Sequence, residues 1–208
     1  MTILNKLAGA LNRRDQVPNI ELAMQIASND DRKAIKELID NLSNKSSDIQ
    51  NDCIKVIYEI GERKPSLIIA YTKDFIALLK HRNNRLQWGA MHALDAIVPE
   101  DPKLIYSLLP KIMEAAEAGS VITRDHAVNI LIKLCSVKQY AANAFTLLIE
   151  QLKNSPTNQL PMYAERAMSV INEKNKALFI KTLKGRLGDI EKDTKRKRVE
   201  KIIKNLEL

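Results

Sequence analysis

Four sets of small or apolar residues recur at one fixed interval along the chain. Cys53/Val56/Ile57/Ile60, Ala90/Ala93/Leu94/Ile97, Ala127/Ile130/Leu131/Leu134 and Ala164/Ala167/Met168/Ile171 begin 37 residues apart. Each keeps the internal spacing 0, +3, +4, +7, which traces one stripe along an α-helix. A helix that carries the same stripe four times at a constant period predicts a stack of helical repeats. In such a stack the core lies between neighbouring repeats, and an extended surface stays open along its length.

A second set of stripes precedes the first. Ile35/Leu38/Ile39/Leu42, Phe75/Ile76/Leu79, Leu109/Ile112/Met113 and Leu148/Ile149/Leu152 predict a partner helix ahead of each quartet. Capping and turn-forming residues fall between the two at 44–48, 81–84, 119–120 and 154–158. Pro65 and Pro102 are placed to open the first helices of the second and third pairs, where a missing N–H costs nothing. Gly61 is expected to close the quartet helix of the first pair. A fifth, looser pair follows, with Phe179/Ile180/Leu183/Leu187, a Gly188-Asp189 turn and Val199/Ile202/Ile203/Leu206. Residues 1–30 lie outside the register. They are expected to form an N-terminal helical cap, with one amphipathic helix through Ile3, Leu4, Leu7 and Leu11 and a second opened by Pro18.

The stretch Arg85-Leu86-Gln87-Trp88-Gly89-Ala90-Met91-His92-Ala93-Leu94-Asp95-Ala96-Ile97 resembles the repeat helix of the HEAT and armadillo-type α-solenoid family. The resemblance covers residues 31–208. It implies an all-α, right-handed α-solenoid of about five HEAT-like helix hairpins, with residues 1–30 as cap and 31–208 as one continuous repeat domain. It also implies that the second helices line a concave groove. Positions about 180° from the buried stripe then face that groove. The +2 positions are Lys55, His92, Asn129 and Arg166; the −2 positions are Asn51, Trp88, Asp125 and Met162; the +5 positions are Tyr58, Asp95, Ile132 and Ser169. The +2 row reads as a ladder of hydrogen-bond donors, and Trp88, the only tryptophan, stands one turn from His92 as a candidate aromatic anchor. Lys55, Trp88, His92, Asn129 and Arg166 are therefore the expected contacts to a protein or peptide partner, held by a non-enzymatic scaffold.

Charge supplies the alternative. Of the net +8, residues 174–208 carry twelve Lys or Arg against five Asp or Glu. Lys195, Arg196, Lys197, Arg198, Lys201 and Lys204 form a basic helix able to meet phosphates, which makes nucleic acid the competing partner. Sparse aromatics argue against sequence-specific reading of single strands.

Chemistry finds little to stand on. Glycines are scattered, no Ser, Cys or Thr has a nucleophile setting, and His81, His92 and His126 lack a metal spacing, so neither catalytic residue, metal, cofactor nor small-molecule substrate is expected. Some alkylpurine DNA glycosylases are built from HEAT-like repeats and pair tryptophans with a nearby carboxylate. Here His92 stands where that carboxylate would follow Trp88, no second tryptophan exists, and only Asp125 could substitute. Cys53 and Cys135 read as small buried hydrophobes of a reducing compartment. No stretch approaches 18 uninterrupted apolar residues. The expectation is a cytoplasmic protein.

Overall fold

The computed structural model describes residues 2–208, and every regular element among them is helical. The helices are α1 (Val17–Asn29), α2 (Arg32–Asp40), α3 (Ser47–Arg63), α4 (Thr72–Leu78), α5 (Asn84–Ile97), α6 (Pro102–Ser107), α7 (Leu109–Ala118), α8 (Val121–Cys135), α9 (Ala141–Asn154), α10 (Leu160–Ala167), α11 (Lys176–Arg186) and α12 (Asp193–Glu207). Residues 1–127 and 128–208 form two compact units, with the division inside α8. Each unit is built around quartet helices.

In the first unit α3 is the central helix and packs against α1, α2 and α5. Ser46 caps it by accepting from the Ile49 N–H, and Asn83 caps α5 through the Arg85 N–H at 3.0 Å. These oxygens satisfy amides that the first turn leaves without an intrahelical partner. Cys53, Val56, Ile57 and Ile60 are fully buried, as are Ala90, Ala93, Leu94 and Ile97. Burial pushes the Cys53 thiol up to about 12, the behaviour of a packing residue.

The first helices of the pairs depart from the sequence reading. Pro65 opens a 3₁₀ turn, Pro65–Leu67, followed by another at Ile69–Tyr71, and only then does α4 begin. Pro102 opens the separate short helix α6, while the stripe Leu109/Ile112/Met113 lies on α7, where Pro110 stands in the first turn. Each of these repeats thus has a short leading segment ahead of two longer ones, because a proline can start a helix but cannot sit within its interior. Gly61 does not end α3, which runs on to Arg63. It is buried, and a Cβ there would meet Ile68 Cδ1 at 2.5 Å and the Ala96 Cβ at 3.2 Å.

The N-terminal cap also differs from expectation. Ile3–Lys6 is a 3₁₀ turn, Leu7 is buried, and Leu11 is exposed, so no amphipathic helix runs through Ile3, Leu4, Leu7 and Leu11. Pro18 lies in the first turn of α1 as anticipated. A polar latch fixes this cap. The buried Asn19 accepts from the Ala8 N–H at 2.9 Å and donates to Asp52 Oδ1 at 2.8 Å, while Asp52 Oδ2 accepts from the Gly9 N–H at 2.8 Å. The α1 helix ends at Asp30 in the left-handed region, φ 52°, a conformation that short polar side chains tolerate.

In the second unit Ile130, Leu131 and Leu134 of α8 and Ala164 and Ala167 of α10 are fully buried. The fourth quartet breaks down beyond that point. The α-helix stops at Ala167, a 3₁₀ turn covers Met168–Val170, and Met168 and Ile171 are only half-buried. The last pair follows the reading in part: α11 and α12 bury Phe179, Leu183, Val199, Ile202 and Ile203, whereas Ile180 and Leu206 are half-buried and Leu187 falls in the Leu187–Asp189 turn.

Candidate functional site

Helical spacing places Asn51, Lys55, Tyr58 and Glu62 on one face of α3, and Arg85, Trp88 and His92 on one face of α5. The packed α3 and α5 helices bring these faces together around Tyr58. The Tyr58 ring is buried, at 5% exposure, and touches three of the other groups. The Lys55 ammonium lies 4.8 Å from its centroid, the half-buried Trp88 ring packs at 5.7 Å with a 50° tilt, and the His92 imidazole stacks at 4.3 Å and 21°. A second imidazole, His126 of α8, stacks on His92 at 4.0 Å and 21°. The result is a continuous ribbon of rings, Trp88, Tyr58, His92 and His126.

Carboxylates flank the ribbon. His92 Nε2 lies 2.6 Å from Glu62 Oε1, and His126 Nδ1 lies 2.9 Å from Asp95 Oδ2. Lys55 pairs with Glu59 at 2.7 Å, and Arg63 joins the same carboxyl at 2.6 Å. Burial alone would raise the Glu59 carboxyl, but hydrogen bonds from Lys55 and Arg63 outweigh it and hold the group below the usual carboxylate range. Burial likewise pulls the Lys55 ammonium down, and its bonds to Glu59 and Tyr58 reverse the direction. Burial raises the Tyr58 phenol, with Lys55 opposing.

In the second unit, Arg166 donates to Asn129 Oδ1 at 3.1 Å, so these two sequence-predicted residues form one exposed pair. The predicted ladder of open donors is therefore corrected. Lys55, His92 and Arg166 all engage side chains of their own protein, because each helix places an acceptor one turn away or on the adjoining helix. The +5 row is corrected too. Tyr58 and Asp95 are buried rather than facing open space, whereas Ser169 is exposed.

A scan of protein families finds no match, and neither does a search of curated proteins. Solved structures do match. An engineered protein from a structural genomics programme shares 20% identity at TM-score 0.63, covering 99% of this chain and 99% of its own. A second engineered protein shares 17% at TM-score 0.60, covering 100% and 97%. A designed armadillo repeat protein in complex with the peptide (KR)4 shares 18% at TM-score 0.62, covering 99% of both chains.

The fold is an armadillo-type helical-repeat solenoid. The short leading segments opened by Pro65 and Pro102 accord with it, since armadillo repeats carry two or three helices.

On this solenoid the basic helix α12 is largely occupied with its own surroundings. Arg198 grips Glu165 of α10 with both nitrogens, at 2.7 and 2.5 Å, and the guanidinium holds that carboxyl below its ordinary range. Lys195 donates to the Asn158 carbonyl and side chain at 2.9 and 2.8 Å, Arg196 to the Ile190 carbonyl at 2.7 Å, and Lys197 pairs with Asp193 at 2.8 Å. Lys201 and Lys204 are exposed. The carboxylates beside Trp88 and its neighbours, Glu62 and Asp95, hold histidines, and Asp125 is half-buried on α8. Among the described residues no group of three or more His, Cys, Asp or Glu is placed to hold a metal ion, and no helix is long and apolar enough to cross a membrane.

Three residues that matter here are silent in the sequence. Tyr58 falls in the +5 row without a role of its own, although an aromatic seven residues from Asn51 signals a shared face. His126 reads as an isolated histidine, because a ring contact across 34 residues has no local signature. Arg186 stands in a short glycine-containing segment that lacks the features of a phosphate cradle. In the structure it reaches the end of α9, donating to the Leu152 carbonyl at 2.7 Å, the Lys153 carbonyl and the Ser155 carbonyl at 3.0 Å, with Asp189 at 2.6 Å behind it.

Proposed function

We propose that this protein is a non-enzymatic scaffold that holds a protein or peptide segment against the face of α3 and α5 bearing Lys55, Trp88 and His92. Asn129 and Arg166, at the equivalent positions of later repeats, supply contacts of the same kind within their own unit. The observation that carries the reading is the ring ribbon. A half-buried indole packed on Tyr58, which is itself stacked on His92, is a rigid, amphipathic contact that loses little conformational entropy on binding. The paired groups around it offer the peptide backbone donors and acceptors already held in place, which lowers the cost of ordering. Support of a general kind comes from the fold, since a structurally similar designed solenoid is seen with a peptide.

The test is selection of a displayed random-peptide library on the immobilised protein. Enriched peptides should bind Trp88→Ala and His92→Ala at least tenfold more weakly, which corresponds to the ~1.4 kcal/mol or more that an interface anchor contributes. Equal binding by both variants, together with loss on Lys33→Ala and Lys73→Ala of the first helices α2 and α4, overturns the assignment.

A further inference from the structure

At the end of this face where α3 and α5 begin, a cleft of about 710 Å³ opens between the N-terminal cap and the first turns of the two helices. Its wall includes Gly9, Arg13, Arg14, Asn51, Asp52 and Arg85. We infer that it is an anion-binding site, taking a carboxylate or phosphate group of the segment held by the scaffold. The inference rests on the proposed function for its assignment to that segment.

Three observations carry it. The first is charge. Arg13 is neutralised by Asp15 at 2.8 Å, whereas the Arg14 and Arg85 guanidinium groups are exposed on the cleft and form no hydrogen bond or ion pair among the described residues. Two open guanidinium forks at one concavity suit the planar, bidentate geometry of carboxylate and phosphate.

The second is the state of the acidic neighbours. Asp52 is buried, and its oxygens accept from the Asn19 amide and the Gly9 N–H, so it belongs to the latch that shapes the wall. Asp48 lies exposed in the first turn of α3 at the rim, where it sits by the positive end of that helix. Together with the latched Asp52 it matches Arg14 and Arg85 in charge, so the site depends on their two unpaired guanidinium forks rather than on a net positive excess.

The third is continuity. Asn51 stands one turn before Lys55 on the same face of α3, and its side-chain oxygen accepts from Asn83 at 3.0 Å. Arg85 precedes Trp88 by one turn on α5. A chain lying against Trp88 therefore passes the cleft within a residue or two, and the volume falls within the 300 to 1,000 Å³ typical of small-ligand sites.

The experiment uses the full-length, ¹⁵N-labelled protein, titrated separately with inorganic phosphate, an end-blocked hexaglutamate and an end-blocked hexalysine. Saturable shifts of the Gly9, Asn51 and Arg85 amides are expected with phosphate or hexaglutamate and not with hexalysine, and the tighter of the two identifies the source of the anion. Arg14→Gln/Arg85→Gln should weaken that binding at least tenfold, and Arg82→Gln should leave it unchanged. The substituted arginines are exposed, so the fold is retained; each single variant should show an intermediate loss. Non-saturating shifts with both anions, shifts unaltered in the double variant, or shifts centred on 195–204 would overturn the inference. If library peptides still require Trp88 when anion binding fails, only the anion site falls. If anion binding persists when no peptide is captured, the scaffold reading falls instead.

Discussion

The His92 and His126 imidazoles stack at 4.0 Å, and each is bonded to a different carboxylate, Glu62 for one and Asp95 for the other. The two ends are unequal. The Asp95 side chain is 4% exposed and that of Glu62 is 47% exposed. A hydrogen bond to a buried carboxylate is costly to remove, whereas water replaces one at the surface.

His126→Ala should therefore destabilise the protein by about 1–3 kcal/mol, and His92→Ala by less than about 1 kcal/mol. Chemical denaturation of the two variants measures the difference. Equal losses would mean that the stacked pair, rather than the Asp95 bond, dominates.

Glycines give a contrast of sign. A Cβ at Gly89 would lie 2.5 Å from Ile54 Cγ1, close to the branch point of a buried side chain, so α5 could not keep its distance from α3. Gly89→Ala should cost about 1–3 kcal/mol from overpacking, more than the ~1 kcal/mol gained in helix propensity. Gly185 lies within α11, and a Cβ added there would have nothing within 4 Å of it. Gly185→Ala should stabilise by about 0.5–1 kcal/mol. Thermal melts of the pair settle both directions.

Arg186 closes the end of α9 by donating to carbonyls that have no intrahelical donor. Arg186→Ala is expected to cost about 1–3 kcal/mol, and Arg186→Lys should recover little, because an ammonium cannot span the Leu152 and Ser155 carbonyls with a rigid fork. Hydrogen exchange should quicken at the C-terminal turn of α9 in both variants. Full recovery by lysine would show that charge alone suffices.

Glu59 sets a pH dependence. Its folded carboxyl is held below its unfolded value, so its contribution is fully present above pH ~4.3, the ordinary carboxylate value, and is lost as pH falls through the lowered folded value. Glu59→Gln should lose up to about 1 kcal/mol at pH 7 relative to the parent, and the gap should close on acidification below that range. A gap that widens in acid would reverse the assigned sign.

The repeat period, the buried quartets of α3, α5 and α8, and the caps at Ser46 and Asn83 are all legible in the amino-acid order. Each is local: a stripe or a cap is decided within one or two turns by spacing and side-chain chemistry. The break after Ala167 is not legible, since Met168 and Ile171 satisfy the pattern while the backbone leaves it. Of the expected contacts, Lys55, Trp88 and His92 gather around Tyr58, and neither this nor the pairing with Glu59 and Glu62 is visible in the spacing.

What the sequence determined by itself was the helical period and the buried stripes of α3, α5 and α8, because helical geometry follows from intervals of three and four residues. What only the tertiary structure decided was which outward groups meet. The stacking of His92 on His126, the burial of Tyr58 and the reach of Arg186 to α9 depend on how far each helix is rotated against its neighbour, and contacts between residues 31 to 34 positions apart leave no trace in local spacing.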